Sequence, residues 1–164
     1  MQSERIGKRS RYSAASITFE RLLAVMSNVW DDVPDWGGVG ALRLDRQTTL
    51  GASVWEIHPG GDHWEHFHDA SEELLIVLRG RPTVRTDAGE QHLEEGDVLT
   101  FPTGPAGVHG IRNETDEVVR ILIVSTNADP DVAEYPDSGK VGIWIGGEGR
   151  FFRVADAVEH AGPE

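Results

Sequence analysis

The chain has 164 residues, a formal net charge of −13 and no cysteine. A chain of this length suits one domain that buries its core without a disulfide or a structural metal, and the missing cysteines exclude thiolate metal sites and cysteine nucleophiles. The negative charge disfavours nucleic acid as a partner, and a membrane span is not expected because no run of about 18 apolar residues occurs.

The N-terminal part of the chain is predicted to lie outside the main sheet structure. Residues 1–17 are polar and basic, and we expect them to form a flexible arm. They lack the apolar stretch of a secretory signal, which favours a cytoplasmic location. In residues 18–48, apolar residues at helix-like spacing predict a short helical or irregular segment: Phe19, Leu22, Leu23 and Met26.

Residues 49–126 alternate short β-rich runs with turn residues, and this pattern predicts an all-β sandwich or barrel. Typical turn signals are Pro59-Gly60-Gly61 and Glu95-Gly96-Asp97. The predicted strands are Ala52–His58, Leu74–Leu78, Thr83–Thr86, Val98–Phe101 and Val118–Ser125. After a proline-containing loop, Val141–Ile145 and Arg150–Val154 are candidates for two further short strands.

Three histidines and one acid form the candidate site. His66 and His68 are two residues apart, so on a strand their side chains point to the same face. Glu73 stands where the next predicted strand begins, and His109 stands at the start of another strand. Three imidazoles and a carboxylate suit one divalent ion such as zinc, iron, manganese, nickel or cobalt. Such a site would keep open coordination positions for water or substrate.

The remaining histidines receive a different interpretation. A single histidine is more often a surface or capping residue than a ligand, and four are assigned to that class: His58, His63, His92 and His160. Trp64 is two residues from His66 and is therefore predicted to share the inner face, either in a pocket wall or in the core. Arg79 and Arg85 are predicted to lie on the solvated exterior.

The frame around the candidate ligands resembles the cupin superfamily. The first cupin motif is G-x5-H-x-H-x3–4-E-x6-G, and the matching residues here are Gly60, His66, His68, Glu73 and Gly80. The second motif is G-x5-P-x-G-x2-H-x3-N, and the matching residues are Gly96, Pro102, Gly104, His109 and Asn113. The loop between Gly104 and His109 is two residues longer than this pattern.

The resemblance covers about residues 50–126 and implies a single cupin domain within 18–164. It implies an all-β fold of the double-stranded β-helix or jelly-roll type, an antiparallel barrel with a metal ion near one open end. The implied metal ligands are His66, His68, Glu73 and His109. Glu72 is the alternative carboxylate, but the spacing to the motif glycine favours Glu73, and neighbouring strand residues face opposite ways.

Two hypotheses on function remain open at this point. The resemblance implies a metal-dependent enzyme on a small molecule, of the dioxygenase, isomerase, epimerase or decarboxylase kind. The alternative is a non-catalytic binding or sensing module that uses the same pocket. A further inward acid, base or tyrosine beside the metal would favour the enzyme, whereas a pocket sealed by apolar side chains would favour the module.

A homodimer is the predicted assembly. The aromatic-rich segment Val29–Trp36 lies outside the motif-bearing barrel and can cover an open sheet edge of a neighbouring copy. The cupin resemblance implies dimers as well. The alternative is that Trp30 and Trp36 pack back on their own barrel.

Overall fold

Two facing antiparallel sheets make up the fold in a computed structural model that describes residues 27–46 and 49–158. The predicted arm over residues 1–17 and the predicted helical segment around Phe19 to Met26 lie outside these ranges. Among the described residues, no helix has the length and apolar character that crossing a membrane requires.

Twelve strands and three short 3₁₀ turns follow one another along the described chain. The strands are β1 (Val39–Arg46), β2 (Gly51–Ile57), β3 (Asp62–His68), β4 (Glu73–Arg79), β5 (Thr83–Thr86), β6 (Gly89–His92), β7 (Val98–Phe101), β8 (His109–Arg112), β9 (Val119–Ser125), β10 (Asp131–Tyr135), β11 (Lys140–Ile145) and β12 (Glu148–Arg153). The turns are Pro105–Gly107, Pro136–Ser138 and Val154–Asp156.

The chain alternates between the two sheets as it proceeds. One sheet has the order β1-β2-β9-β4-β7, and the other has the order β12-β11-β10-β3-β8-β5-β6. From β2 to β10 the strands switch sheets at nearly every connection, which is the winding of a double-stranded β-helix. The predicted all-β fold of jelly-roll type is confirmed.

Most predicted strands occupy the expected positions, and the strands that were not predicted owe their existence to pairing. The segment 39–46 was expected to be irregular, but it forms β1 and pairs with β2 along its length. Asp131–Tyr135 was expected to be loop, but it forms β10 between β11 and β3. Gly89–His92 is polar and exposed and gives no periodic signal, yet it pairs with β5.

The inner faces of the sheets change from apolar to polar along the strands. The buried cluster consists of Val39, Ile57, Leu75, Val77, Val84, Leu93, Phe101, Ile111, Val119, Ile121 and Ile123. On β4 and β9, the inner pair Val77 and Ile121 is buried, whereas the pair Glu73 and Ser125 at the other end is polar. Burial of one such aliphatic side chain contributes about 1.5–3 kcal/mol, so we expect the core to fold without a metal ion at the polar end.

The N-terminal aromatic segment contacts its own sheet. Arg120 is buried on the outer side of β9 and donates hydrogen bonds to the carbonyl oxygens of Val29 and Asp31. Its guanidinium group lies 5.6 Å from the centre of the Trp30 ring. Trp36 contacts Trp55 edge to face at 6.2 Å. Both segment tryptophans remain more than half exposed, and the homodimer stays a prediction.

Asn113 of the second motif ties together two connections at the apolar end of the barrel. Its side chain is 1% exposed and donates to the carbonyl oxygens of Ile57 at 2.8 Å and Glu117 at 2.7 Å. Its Oδ1 atom accepts from the backbone N–H of Thr115 at 2.9 Å and from the Thr115 hydroxyl at 2.7 Å. The asparagine of the motif is therefore a structural residue here.

We expect Asn113→Ala to lower the free energy of unfolding by about 2–4 kcal/mol, since it removes four hydrogen bonds of a buried side chain, including the buried one to the Ile57 carbonyl. Urea denaturation measures this change. The matched control Asp116→Ala alters an exposed residue of the same connection and should change stability by less than about 0.5 kcal/mol. Equal stability of both variants would contradict the anchoring role.

Candidate functional site

Strand pairing brings the four candidate ligands to the polar end of the barrel. His66 on β3 lies directly opposite His109, the first residue of β8. Glu73, the first residue of β4, reaches them from the other sheet, with its Oε2 atom 3.3 Å from His109 Nε2 and 3.8 Å from His66 Nε2. Its Oε1 atom is 4.0 Å from His68 Nε2. One carboxylate thus faces three imidazoles.

The orientation of each imidazole is determined by a hydrogen bond on its Nδ1 atom. His66 Nδ1 lies 2.9 Å from the carbonyl oxygen of Trp64, His109 Nδ1 lies 2.9 Å from that of Gly107, and His68 Nδ1 lies 2.7 Å from Asp131 Oδ2. Carbonyl and carboxylate oxygens only accept hydrogen bonds, so Nδ1 carries the proton in each neutral ring. Each Nε2 lone pair is left directed at the cluster, which is the arrangement of metal-ligating histidines.

The donor set fits a divalent ion. One ligand atom from each of His66, His68 and Glu73 lies within 4.8 Å of the others, and His109 adds a third imidazole on the far side of the carboxylate. Imidazole nitrogens with a carboxylate suit zinc, iron, manganese, nickel or cobalt. Asp131, which the sequence analysis did not single out, supports the set by holding His68, and it also accepts from the backbone N–H of Ala70.

Local electrostatics keep the donor groups in the protonation states that a metal requires. Burial raises the pKa of the Glu73 carboxyl, but the close imidazole of His109, together with those of His68 and His66, outweighs this effect and brings it to about 2. Burial, with the nearby His109, lowers the pKa of His66 to about 4. At neutral pH Glu73 is a carboxylate and His66 is uncharged.

The loop before His109, which is two residues longer than the motif pattern, holds the imidazole of His109 in place. Its residues Pro105–Gly107 make a 3₁₀ turn, and the Gly107 carbonyl at the end of the turn accepts from the imidazole. A Cβ atom on Gly107 would lie 1.8 Å from the Pro102 carbonyl oxygen, so only glycine fits. Phe101 stacks on the His109 ring at 3.6 Å with the planes 7° apart. The two additional residues thus shape the turn that holds the ring.

A β-bulge in β3 brings a fourth histidine beside the cluster. The β3–β8 register shifts between His63 and His66, and the ring of His63 lies 5.3 Å from that of His66. Burial lowers the pKa of His63 to about 3, and its Nδ1 atom is buried without a hydrogen-bond partner among the described residues. His63, which the sequence analysis grouped with the surface or capping histidines, is half-buried and lines the cavity beside the cluster. Trp64 is 64% exposed, since the bulge breaks the two-residue alternation that predicted an inward side chain.

The cluster lies in a cavity of about 350 Å³ with mixed polar and aromatic walls. Tyr135 on β10 stacks on His66 with ring centres 5.5 Å apart. Tyr135 lines the cavity, and its hydroxyl has no hydrogen-bond partner among the described residues. Burial and the nearby Glu73 raise the pKa of this phenol. Trp55, Trp64 and Trp144 supply aromatic surface to the same cavity.

The other residues considered from the sequence lie away from the cluster. Glu72 is exposed and does not line the cavity. Arg79 pairs with Glu56 at 3.4 Å. Arg85 forms ion pairs with Glu65 and Asp137. Both arginines lie on the partly exposed exterior, as the sequence analysis predicted.

Comparison with protein families gives one match, to the family described as "Cupin domain", over residues 53–125. These residues run from β2 to β9 and include all four candidate ligands. No curated protein matches the chain.

Comparison with solved structures gives many matches of the same fold. A sugar phosphate isomerase of the cupin superfamily from Silicibacter pomeroyi DSS-3 is 26% identical, covers 76% of this chain and 82% of its own, and has a TM-score of 0.68. A protein from Acidithiobacillus ferrooxidans, provisionally assigned as a sugar phosphate isomerase, is 25% identical over 76% and 83% of the two chains, with a TM-score of 0.64. A Klebsiella pneumoniae protein with a double-stranded β-helix domain is 24% identical over 61% and 87%, with a TM-score of 0.56, and shows the fold alone.

We expect His66→Ala and His68→Ala each to weaken divalent metal binding by more than about 100-fold, because even the loss of an outer-shell partner costs about 10–100-fold. Circular dichroism should show an intact sheet structure, since the core is formed by apolar side chains. Elemental analysis of the purified variants provides the measurement. The control His58→Ala changes a histidine outside the cluster and should keep its metal, and full occupancy in both cluster variants would refute the ligand assignment.

We expect Glu73→Gln to weaken metal binding far more than Glu72→Gln. The first substitution removes the charge at the atom nearest to His109 and His66, whereas the second alters an exposed side chain. Calorimetric titration with zinc compares the two variants directly. A larger loss in Glu72→Gln would show that the neighbouring carboxylate is the ligand.

Proposed function

Residues 53–125 match the cupin domain family, and we propose that the chain is a metal-dependent enzyme of the isomerase type that acts on a small polar molecule. One observation carries the proposal. The cluster of three imidazole Nε2 atoms and the Glu73 carboxylate shares a cavity with two further groups able to exchange hydrogen bonds with a ligand, the Tyr135 hydroxyl and the His63 imidazole.

The choice of an isomerase over an oxygenase rests on the two similar structures with at least 25% identity. Both are assigned as sugar phosphate isomerases, one of them provisionally. Isomerisation also agrees with the cavity, because the product contains the same atoms as the substrate and no second reactant has to be accommodated. Sugar phosphates are therefore the first substrate class to test.

Each group of residues in the cavity would have a separate role in such an isomerisation. His66, His68, Glu73 and His109 would hold one divalent ion, which when bound supplies Lewis-acid polarisation of a substrate oxygen. Asp131 and the Gly107 carbonyl keep two of these rings in the ligating orientation. Tyr135 would donate a hydrogen bond to a substrate oxygen beside the cluster, and His63, whose ring lies 5.3 Å from that of His66, would offer a second polar contact. The three tryptophans that line the cavity restrict water around the bound molecule.

A binding or sensing module is the second candidate, because the same cluster can retain a ligand without converting it. The composition of the cavity wall disfavours this candidate. Ser53, Ser125 and Tyr135 line the cavity together with the aromatic residues, so apolar side chains do not seal it.

The proposal also includes the cytoplasmic location and the homodimer predicted from the sequence.

We expect protein purified without added metal to contain one divalent ion per chain and to interconvert an aldose phosphate and its ketose isomer. Elemental analysis identifies the ion, and proton NMR of a panel of sugar phosphates detects the second isomer. Recovery of bound but unchanged compounds from the whole panel would favour the binding module.

The variant Tyr135→Phe separates turnover from metal binding. It removes a hydroxyl and keeps the ring that stacks on His66, so metal content should stay at the wild-type level. Removal of one donor to a developing charge typically costs about 100-fold or more in kcat, and we expect a loss of that order. Unchanged kcat with unchanged metal content would exclude a role of Tyr135 in the reaction.

A further inference from the structure

We propose that Arg43 on β1 binds the anionic group of the substrate, a phosphate or a carboxylate, at the rim of the metal cavity. This inference rests on the proposed function and extends it by naming the chemical class of the molecule. Among the described residues that line the cavity, Arg43 is the one side chain with a fixed positive charge.

The register of the five-stranded sheet places Arg43 and the metal ligand Glu73 on the same face. Arg43 lies opposite Ser53, and Ser53 lies opposite Ile123. Ile123 lies opposite Leu75, which is two residues from Glu73 on β4. Directly paired residues share one face, as do residues two apart on a strand. Arg43 therefore belongs to the inner surface that carries the cluster.

The distance between the two groups suits the ends of one small molecule. β1 and β4 are separated by β2 and β9, which corresponds to three strand spacings, or about 14 Å along the curved sheet at about 4.8 Å each. The length of the arginine side chain reduces the distance that a ligand has to span between Arg43 and Glu73. A ligand of sugar size can contact the cluster with one end and the guanidinium group with the other.

The charges in the cavity leave Arg43 available for an anion. The cavity carboxylates of Glu73 and Asp131 are engaged with the histidines, and Arg43 has no ion pair or hydrogen bond among the described residues. By contrast, Arg79, Arg85 and Arg120 each pair with a carboxylate. In a chain with a net charge of −13, the overall field repels anions. An anionic substrate therefore requires a local cation, and a guanidinium group binds phosphate or carboxylate oxygens in a two-pronged fashion.

Three matched ligands test the proposal on metal-loaded full-length protein: glucose, its terminal phosphate ester and gluconate. Isothermal titration calorimetry should show that the wild type binds at least one of the two anions at least about tenfold more tightly than glucose, as expected for a charge-assisted contact. The preferred anion identifies phosphate or carboxylate as the recognised group. In Arg43→Gln the preference should disappear. The control Arg79→Gln removes the same charge outside the cavity and should keep the preference.

Metal content of each variant separates this inference from the proposed function. Arg43→Gln should bind the same amount of metal as the wild type and give the same circular dichroism spectrum. An anion preference that depends on Arg43 in a protein without metal or turnover would support the anion site while contradicting the proposed enzyme. Equal binding of all three compounds, absence of binding by all of them, or an anion preference that persists in Arg43→Gln would overturn the role of Arg43.

Discussion

The candidate site depends on hydrogen bonds that hold each histidine by its Nδ1 atom. Two of the acceptors are backbone carbonyl groups, of Trp64 and Gly107, and the third is the Asp131 carboxylate. Because these oxygens cannot donate, every ring turns its Nε2 lone pair toward Glu73. The two carbonyl groups belong to the bulge in β3 and to the turn before β8, so irregular backbone at the end of the barrel orients two of the ligands.

The same irregular backbone also determines which other side chains lie beside the histidine cluster. The bulge between His63 and His66 places two histidines on one side although they are three residues apart, and it turns Trp64 toward the rim. Asp131 begins β10, and Tyr135 ends that strand beside His66. Pairing of β10 with β3 therefore supplies both a support for His68 and a hydroxyl for the cavity. The apolar cluster at the other end of the sheets provides the stability that permits these irregular and polar features.

Much of the fold was predictable because local patterns and the final structure agree. Thr83–Thr86 and Val98–Phe101 form strands with the predicted bounds, and β9 lies within the apolar run that was predicted as a covered strand. β1, β6 and β10 were not predicted. The sequences of β6 and β10 carry no clear alternation, and β1 alternates over only four residues, Leu42 to Asp45; all three become strands because neighbouring strands offer unpaired backbone groups. Trp64 lines the cavity, as one of the two predicted alternatives had it, but it is largely exposed and not in the core, because alternation holds only in a regular strand.

Motif spacing was enough to predict the class of fold and the four candidate ligands, because it indicates where turns occur and which side chains share a strand face. It also distinguished Glu73 from Glu72. Long-range strand pairing, by contrast, brings four further residues to the same cavity: His63, Asp131, Tyr135 and Arg43. These residues lie on β3, β10 and β1, far apart along the chain or displaced by a bulge. Their proximity arises from strand register across two sheets, and register is a property of long-range pairing that no local pattern in a single sequence encodes.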